Sequence, residues 1–293
     1  MHDKLIAAFD TSAINRLADD PGRATLLPKI QTSLLLRLSF TSVGELIATR
    51  DAARRSELLA LCKKLMYSGD CIHNGYQLLQ MLISDFERSQ AFDWTSVDIR
   101  FQRAEDGLRN GAEFDDVQSQ GVLKENREAN RKFEKFYNQF NRSYKDAFLQ
   151  GSAQRPASLK ESLERLRESV SFETMASRLY AYVAERDPKS DRVPASTVNR
   201  FLRACPPFNA YLLGLCAARY TRNLKPSDAC SMKAGALDTA MAVCLPYCDI
   251  FVTNDCGMQK CFKEISAIAG LPVEVLSHDC FRQRLIIQHE ETS

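Results

Sequence analysis

Residues 5–12 read LIAAFDTS, an apolar run that ends directly before Asp10. A short apolar run followed by small polar residues is typical of a buried strand that leads into a helix. We therefore predict a strand over residues 5–9 that delivers Asp10 at its carboxyl end, with a helix from Ser12. Near the other end of the chain, residues 249–255 read DIFVTND. The same pattern there predicts a strand that ends at Asp255.

Strand and helix patterns alternate on both sides of these two segments. Further strands are predicted at residues 34–40 and 273–276, and helices at residues 43–50, 52–66, 76–88, 233–245 and 258–269. Such alternation is typical of a parallel sheet covered by helices. We therefore expect the α/β class, with a small parallel β-sheet flanked by helices.

The middle of the chain has a different character, because strand patterns nearly vanish between residues 91 and 225. Apolar residues recur there at steps of three and four, which predicts helices over residues 132–150, 158–185 and 208–222. We expect a large all-α insertion. The predicted domain limits are residues 1–90 for the first part of the α/β core, 91–225 for the insertion and 226–293 for the second part of the core.

The composition is that of a globular protein with a sizeable core, since 45% of the 293 residues are hydrophobic and 26% are charged. The net charge of +2 does not by itself indicate a nucleic-acid partner, so any surface that binds nucleic acid must be a local basic patch. Neither a targeting segment nor an apolar run of about 20 residues is visible. We expect a cytoplasmic protein with no membrane contact and with its ten cysteines reduced.

Four acidic residues occupy positions that favour ligand binding in such a fold. Asp10 and Asp255 follow strands directly, Glu45 lies on the helix after the second strand, and Asp238 lies on the helix before the Asp255 strand. The carboxyl ends of parallel strands line the crevice where α/β proteins bind ligands. Clustered carboxylates repel one another unless a cation neutralises them, and oxygen ligands suit Mg²⁺ or Mn²⁺. These acids are our candidate catalytic and metal-binding residues.

Four stretches around these acids, FDTSAINRL, SFTSVGELIATR, ALDTAMAV and DIFVTND, resemble the PIN domain, a family of metal-dependent ribonucleases. The resemblance covers about residues 1–90 and 226–293. It implies an endoribonuclease in which a metal-activated water hydrolyses RNA. It assigns the metal-binding roles to the same four acids. It also implies that four neighbours support the metal ligands or contact phosphate: Thr11, Ser12, Thr253 and Asn254.

The sequence departs from the family in the long separation between Glu45 and Asp238. The assignment of Asp238 as the third acid is therefore the least secure of the four. Asp228 and Asp249 are nearby alternatives, although Asp228 is expected to cap a helix and Asp249 to start the strand. Structural roles also compete for the other acids. Asp10 could be only a helix N-cap, and Glu45 could be the capping-box partner of Ser42. Asp238 could be an exposed helix charge, and Asp255 could lie in a turn with Asn254.

Several functional alternatives stay open. A non-catalytic PIN-like protein could bind nucleic acid or act as a scaffold, and a structure-specific DNA nuclease could use the insertion as an arch. A toxin-like nuclease would be restrained by an inhibitory partner protein, and the insertion could cap the site, select the substrate or form a homodimer. RNA is the expected nucleic acid rather than DNA.

Two basic runs are candidates for contact with phosphate. The first is the set Arg200, Arg203, Arg219, Arg222 and Lys225, which has few acids nearby and leads back to the core. The second run extends from Arg127 to Lys145 and accompanies an aromatic stripe from Phe133 to Phe148. Acids dilute its charge, so that we expect a solvated face and a stripe that packs in a helix core. The first set is therefore the better candidate, although an ordinary surface is the simpler interpretation of both.

Overall fold

The computed structural model describes residues 4–110, 120–125, 127–128, 131–132, 134–138, 156–186, 193–223 and 236–290. Its centre is a five-stranded sheet in which every pairing is parallel. The strands are β1 (Leu5–Phe9), β2 (Leu34–Ser39), β3 (Gly69–Ile72), β4 (Ile250–Thr253) and β5 (Glu274–Ser277). Helices cover the sheet, and the predicted α/β class with a helical insertion is confirmed.

The strand order β3-β2-β1-β4-β5 gives the sheet a switch point. The chain proceeds outward from β1 through β2 to β3 and then returns, after the insertion, to the other side of β1. Ala7 of β1 thus pairs with Leu36 of β2 on one side and with Ile250 of β4 on the other. Because the chain direction across the sheet reverses between β1 and β4, the helices that follow them diverge and open a crevice at the carboxyl ends.

Alternate side chains of the strands enter two separate hydrophobic cores, one on each face, as the two-residue period of a strand requires. On the first face, Phe9 of β1 and Val252 of β4 are fully buried. The helices that contribute buried side chains to this face are Thr11–Ala18, Arg23–Ser33, Phe40–Ile47, Ala52–Leu65, Gln102–Asn110 and His278–Glu290.

On the second face, Ala8 and Phe251 join a larger core. The helices that cover it are Gly75–Arg88, Leu159–Arg167, Val170–Val183, Ala195–Ala204, Pro206–Asn223 and Cys256–Ala269. Helices of the inserted segment therefore share one core with the sheet. The predicted limits at residues 90 and 225 stay a prediction. Within the described ranges, no helix has the length and apolar character that crossing a membrane requires.

Strand β3 was not predicted, because its sequence GDCI contains glycine and aspartate, which are rare in strands. Tertiary contacts explain both residues. A Cβ on Gly69 would lie 2.2 Å from the Leu36 carbonyl oxygen, so only glycine allows this approach. The carboxylate of Asp70 accepts bonds of 2.8 and 2.7 Å from Arg37 of β2, which also donates to the Tyr247 carbonyl.

Several predicted helices differ from the observed ones. The helix predicted over residues 158–185 is two helices, which meet at Glu168 and Ser169. In the helix predicted over 233–245, Ala236–Ala240 is an α-helix and continues as a 3-10 helix, Met241–Tyr247, that contains Pro246. Residues 233–235 lie outside the described residues. Residues 139–150 of the predicted aromatic helix lie outside the described residues. The helices Arg23–Ser33, Gln102–Asn110, Ala195–Ala204 and His278–Glu290 were not predicted.

Candidate carboxylate site at the strand ends

Asp10 and Asp255 lie on the two sides of the switch point, each as the N-cap of the helix that follows its strand. The Asp10 carboxylate accepts a 2.7 Å bond from the Ala13 amide, and the Asp255 carboxylate accepts a 2.8 Å bond from the Met258 amide. The capping role that competed with ligand binding at Asp10 is therefore present. Capping uses only part of the acceptor capacity of a carboxylate, so the two roles are compatible.

The Asp10 carboxylate is held in place by hydroxyl groups from both strand ends. Thr253 donates to Oδ2 at 2.7 Å, and the Ser12 hydroxyl lies 2.9 Å from both carboxylate oxygens. Ser12 Oγ in turn accepts a 2.7 Å bond from the Asn254 amide. Ser12, Thr253 and Asn254, which the PIN resemblance nominated as supporting residues, thus join Asp10 to the end of β4.

Glu45 approaches the same place from the helix Phe40–Ile47. This helix begins at Phe40 rather than at Val43, with Ser39 as its N-cap, so that Glu45 lies in its second turn. The Ser42 amide donates to Ser39 Oγ, and this excludes the capping box between Ser42 and Glu45. Oε2 of Glu45 instead accepts a hydrogen bond from the Thr11 hydroxyl. The sequence prediction placed the helix start too late because Phe40 extends the apolar pattern of β2.

All four predicted carboxylates line a single cavity of about 290 Å³. Its lining consists of Asp10, Thr11, Ser12, Asn15, Ser42, Glu45, Asp238, Met241, Asp255 and Met258. We call it the carboxylate cavity. Asp10 is buried, Glu45 and Asp238 are half-buried, and Asp255 is exposed. The side chains therefore range from the floor of the cavity to its mouth.

The alternatives for the third acid lie elsewhere. Oδ2 of Asp249 accepts a 2.8 Å bond from the Ile6 amide, which places Asp249 at the amino ends of β1 and β4. The carboxylate cavity is at the opposite edge of the sheet. Asp228 lies outside the described residues. Of the two described candidates for the third acid, Asp238 lines the carboxylate cavity and Asp249 does not.

Burial and mutual repulsion raise the pKa values of two of these acids. Burial raises the pKa of Asp10 from 3.8 to about 6. The hydrogen bonds that Asp10 accepts lower this pKa, and the nearby charge of Asp255 raises it. Burial raises the pKa of Glu45 from 4.5 to about 7, and the charges of Asp238 and Asp10 add to it. The cluster therefore holds negative charge at a cost that a bound cation would relieve.

The donor set fits a hard divalent cation in its chemistry. Carboxylate and hydroxyl oxygens dominate the lining, and it includes neither cysteine nor histidine. As the side chains stand, however, no three histidine, cysteine, aspartate or glutamate side chains among the described residues are close enough together to hold a metal ion. Binding of a cation in the shared cavity therefore requires the carboxylate side chains to move closer together.

Sequence reasoning missed Asn15, Ser42, Met241 and Met258 in the lining. Asn15 follows Thr11 by one helical turn, and this spacing was a usable signal. Its side chain donates to the Thr11 carbonyl at 2.9 Å. The contacts of Ser42, Met241 and Met258 depend on tertiary packing, which no local pattern reveals.

In the favoured basic set between Arg200 and Lys225, Arg200 and Arg203 are exposed, and their contact with phosphate stays a prediction. Arg219 is buried, with 9% of its surface exposed. The Arg200 guanidinium lies 4.8 Å from the centre of the Phe86 ring, over its face. The Arg222 side chain and Lys225 lie outside the described residues.

Comparison with protein-family models, with curated proteins and with solved structures gives no significant match. The function of this chain is therefore inferred from its residues and from their arrangement. The PIN resemblance of the four stretches around the acids is used as a hypothesis.

Proposed function

We propose that this protein is a metal-dependent nuclease, specifically a cytoplasmic endoribonuclease that hydrolyses RNA phosphodiesters at Asp10, Glu45, Asp238 and Asp255. The observation that carries the proposal is the shared cavity. Four acids from distant parts of the chain line it at the switch point of a parallel sheet. Switch points are where such sheets bind their ligands. The choice of RNA depends on the PIN resemblance.

The same four carboxylates would hold Mg²⁺ or Mn²⁺. When bound, such an ion supplies a water of lowered pKa and neutralises charge on the phosphate. The chain's own residues provide the orientation. Thr253 and Ser12 fix Asp10, and Thr11 fixes one oxygen of Glu45. Asp255 at the mouth is exposed and can adjust to the substrate.

Covalent catalysis by a cavity hydroxyl is not part of the proposal. A serine or threonine nucleophile needs an adjacent base such as histidine. The lining residues include no histidine and no lysine. Ser12 Oγ is already engaged with the Asp10 carboxylate and the Asn254 amide, and Thr11 Oγ1 with Glu45.

A non-catalytic protein that binds nucleic acid or serves as a scaffold is the second candidate. One specific observation favours it. Both oxygens of Asp10 accept bonds from Thr253, Ser12 or Ala13, so three donor groups already occupy this carboxylate. If those bonds persist when a cation is present, Asp10 has little capacity left for a metal ion.

Incubation of the full chain with labelled RNA and labelled DNA separates the candidates. We expect cleavage of RNA with Mn²⁺ or Mg²⁺, none with EDTA, and none by an Asp10→Asn variant. Cleavage that persists with EDTA or in the variant would overturn the metal-site proposal. Binding of RNA without cleavage would favour the scaffold candidate. Cleavage restricted to branched or flapped DNA would favour a DNA nuclease.

A toxin-like nuclease restrained by an inhibitory partner protein is a narrower version of this proposal. Its support comes only from the PIN resemblance. Expression of the chain alone, beside expression of its Asp10→Asn variant, tests it. Growth arrest with the unchanged chain but not with the variant is the expected result for a toxin. Equal growth with both would contradict it.

A further inference from the structure

A second cavity, of about 680 Å³, lies beside the helix that carries Glu45. Its lining consists of Ala48, Arg50, Arg55, Gln120, Gly121, Leu123, Lys124 and Arg127. We call it the basic cavity, because four of these side chains are basic and none is acidic. Two come from the α/β core and two from the inserted segment. The cavity therefore exists only because the insertion lies against this edge of the core.

Three of the basic side chains in this cavity, those of Arg50, Lys124 and Arg127, differ from a neighbouring arginine in their ion pairing. Arg54, next in sequence, pairs with Asp19 and Glu57 at 2.8 Å each. In contrast, no ion pair joins Arg50, Lys124 or Arg127 to an acidic side chain of the described residues. Unpaired basic side chains around a concave surface concentrate positive potential there.

Arg55 gives the basic cavity a fixed wall. Only 5% of its surface is exposed, and its guanidinium donates a 2.8 Å bond to the Thr49 carbonyl. A guanidinium held by such a bond keeps its position and its charge, since arginine does not lose its proton in proteins. The other three basic side chains are exposed and can move to meet an anion.

Nearby acids weaken this potential only in part. Asp51 caps the helix Ala52–Leu65 by accepting from the Arg54 amide at 2.8 Å. Glu128 pairs with Lys132 at 3.5 Å, and Glu125 is exposed. None of these three acids lines the basic cavity. Arg127, at the start of the predicted solvated face, is exposed and lines this concave surface.

The two cavities are neighbours. Glu45 lines the carboxylate cavity, and Ala48, which ends the same helix, lines the basic cavity. Residues three positions apart on a helix are separated by about 4.5 Å along the axis. Successive phosphates of a single nucleic-acid strand follow one another at a spacing of the same order. A strand with one phosphate at the carboxylates can therefore place a nearby phosphate in the basic cavity.

We propose that the basic cavity formed by Arg50, Arg55, Lys124 and Arg127 holds the phosphate backbone of a single RNA strand whose scissile phosphate lies in the carboxylate cavity. This inference rests on the proposed nuclease function for the path of the strand. With a cation at the carboxylates, as the proposed function requires, a polyanion with regularly spaced charges can contact both cavities at once. An isolated anion would fill only one of them.

Binding can be measured apart from cleavage. The full chain with Asp10→Asn, in EDTA, is titrated against a labelled single-stranded RNA of roughly 12 nucleotides, within the usual site size. The test variant adds Arg50→Gln, Lys124→Gln and Arg127→Gln. The matched control adds Lys63→Gln, Lys64→Gln and Arg178→Gln, three exposed basic residues outside both cavities. Equal midpoint temperatures of thermal unfolding for both variants verify that they fold.

We expect the test variant to bind the RNA at least 10-fold more weakly, and the control less than 2-fold. The slope of log affinity against log salt should fall by about 2, since each lost phosphate contact on a single strand contributes about 0.7. RNA binding by the test variant with unchanged affinity and slope would overturn the inference. Equal competition by an acidic peptide of the same charge would overturn the assignment to RNA.

The same substitutions in the chain with Asp10 intact separate this inference from the proposed function. With Mn²⁺, we expect KM to rise and kcat to stay within about 2-fold, because the basic cavity does not contact the reacting phosphate. RNA cleavage with an unchanged KM would sink the inference and leave the nuclease proposal standing. Loss of binding in the test variant, with no cleavage by the unchanged chain, would refute the nuclease and support the basic cavity as an RNA site.

Discussion

The Thr253 hydroxyl, at the end of β4, donates a 2.7 Å hydrogen bond to Asp10 Oδ2, at the end of β1. Thr253 has 1% of its surface exposed, and its oxygen also accepts from the Asp255 amide at 3.1 Å. One hydroxyl group therefore orients both acids of the switch point. Its removal takes away one of the three donors of a buried carboxylate and the acceptor of a backbone amide.

We predict that Thr253→Val lowers the free energy of unfolding by about 1–3 kcal/mol, the usual cost of an unsatisfied buried partner. If the proposed nuclease is correct, cleavage also falls, while Thr253→Ser retains most of both properties. Denaturant unfolding and cleavage rates of the three proteins test this. A valine variant as stable and active as the unchanged chain would show that the bond does not position Asp10.

Matched substitutions at Asp238 and Asp249 test which of the two residues is the third acid of the site. Asp238→Asn removes one carboxylate of the carboxylate cavity, and we expect cleavage to fall by roughly 100-fold or more with little change in stability. Asp249→Ala removes the acceptor of the Ile6 amide at the opposite edge. We expect it to cost about 0.5–1.5 kcal/mol of stability and no activity. The reverse pattern of activities would reassign the third acid to Asp249.

Glu45 should make the stability of the metal-free protein depend on pH. Its folded pKa of about 7 lies above its ordinary value of 4.5. Between these values, the folded state binds a proton that the unfolded state has released, so that this stabilisation is complete below pH 4.5 and is lost as the pH rises through about 7. Above that pH the buried charge penalises the fold.

We therefore expect Glu45→Gln to stabilise the protein at pH 8 in EDTA, by a few kcal/mol at most, since one pKa unit corresponds to about 1.4 kcal/mol. The advantage should shrink as the pH falls toward 5. Urea unfolding of both proteins across this pH range provides the measurement. Added Mn²⁺ should stabilise the unchanged chain more than the variant. Parallel stability curves would rule out a raised pKa at Glu45.

Gly75 controls the position of the segment that carries Asp238. A Cβ at Gly75 would lie 2.7 Å from the backbone oxygen of Ala240, which must then shift. We predict that Gly75→Ala lowers stability by about 1–3 kcal/mol, as overpacking does, and also lowers activity. Gly107 is the matched control, since its Cβ would meet nothing within 4 Å.

In the helix Gln102–Asn110, Gly107→Ala should be neutral or stabilise by up to about 1 kcal/mol. Thermal unfolding and cleavage rates of the two alanine variants decide the matter. Equal effects at both positions would mean that the contact with Ala240 does not matter.

The parts of the fold that could be predicted from the sequence are those that a short local pattern of residues determines. The apolar runs of β1 and β4 identify buried parallel strands, and the residue after each strand necessarily lies at the crevice. Asp10 and Asp255 could therefore be placed from pattern alone. Strand β3 could not, because Asp70 is acceptable in a strand only when Arg37 of its neighbour is known.

The remaining site residues depend on contacts between distant segments. Asp238 was assigned from a resemblance across a long insertion, and the only local signal that separated it from Asp249 was the position of Asp249 at the start of the strand. The basic cavity joins Arg50 to Arg127, and their charges belong together only after the insertion has folded against the core. A run of mixed charges cannot show which of its members face a concavity.

The carboxylate cavity draws Asp10 and Glu45 from the first segment of the chain, and Asp238 and Asp255 from the last. During synthesis, the first two acids leave the ribosome long before the other two have been translated. Strand β4, which lies next to β1 and supplies Thr253, is also made late. A nascent chain or a prematurely terminated one therefore lacks half of the site. If the proposed nuclease function is correct, an unfinished molecule therefore cannot cleave the RNA from which it is made.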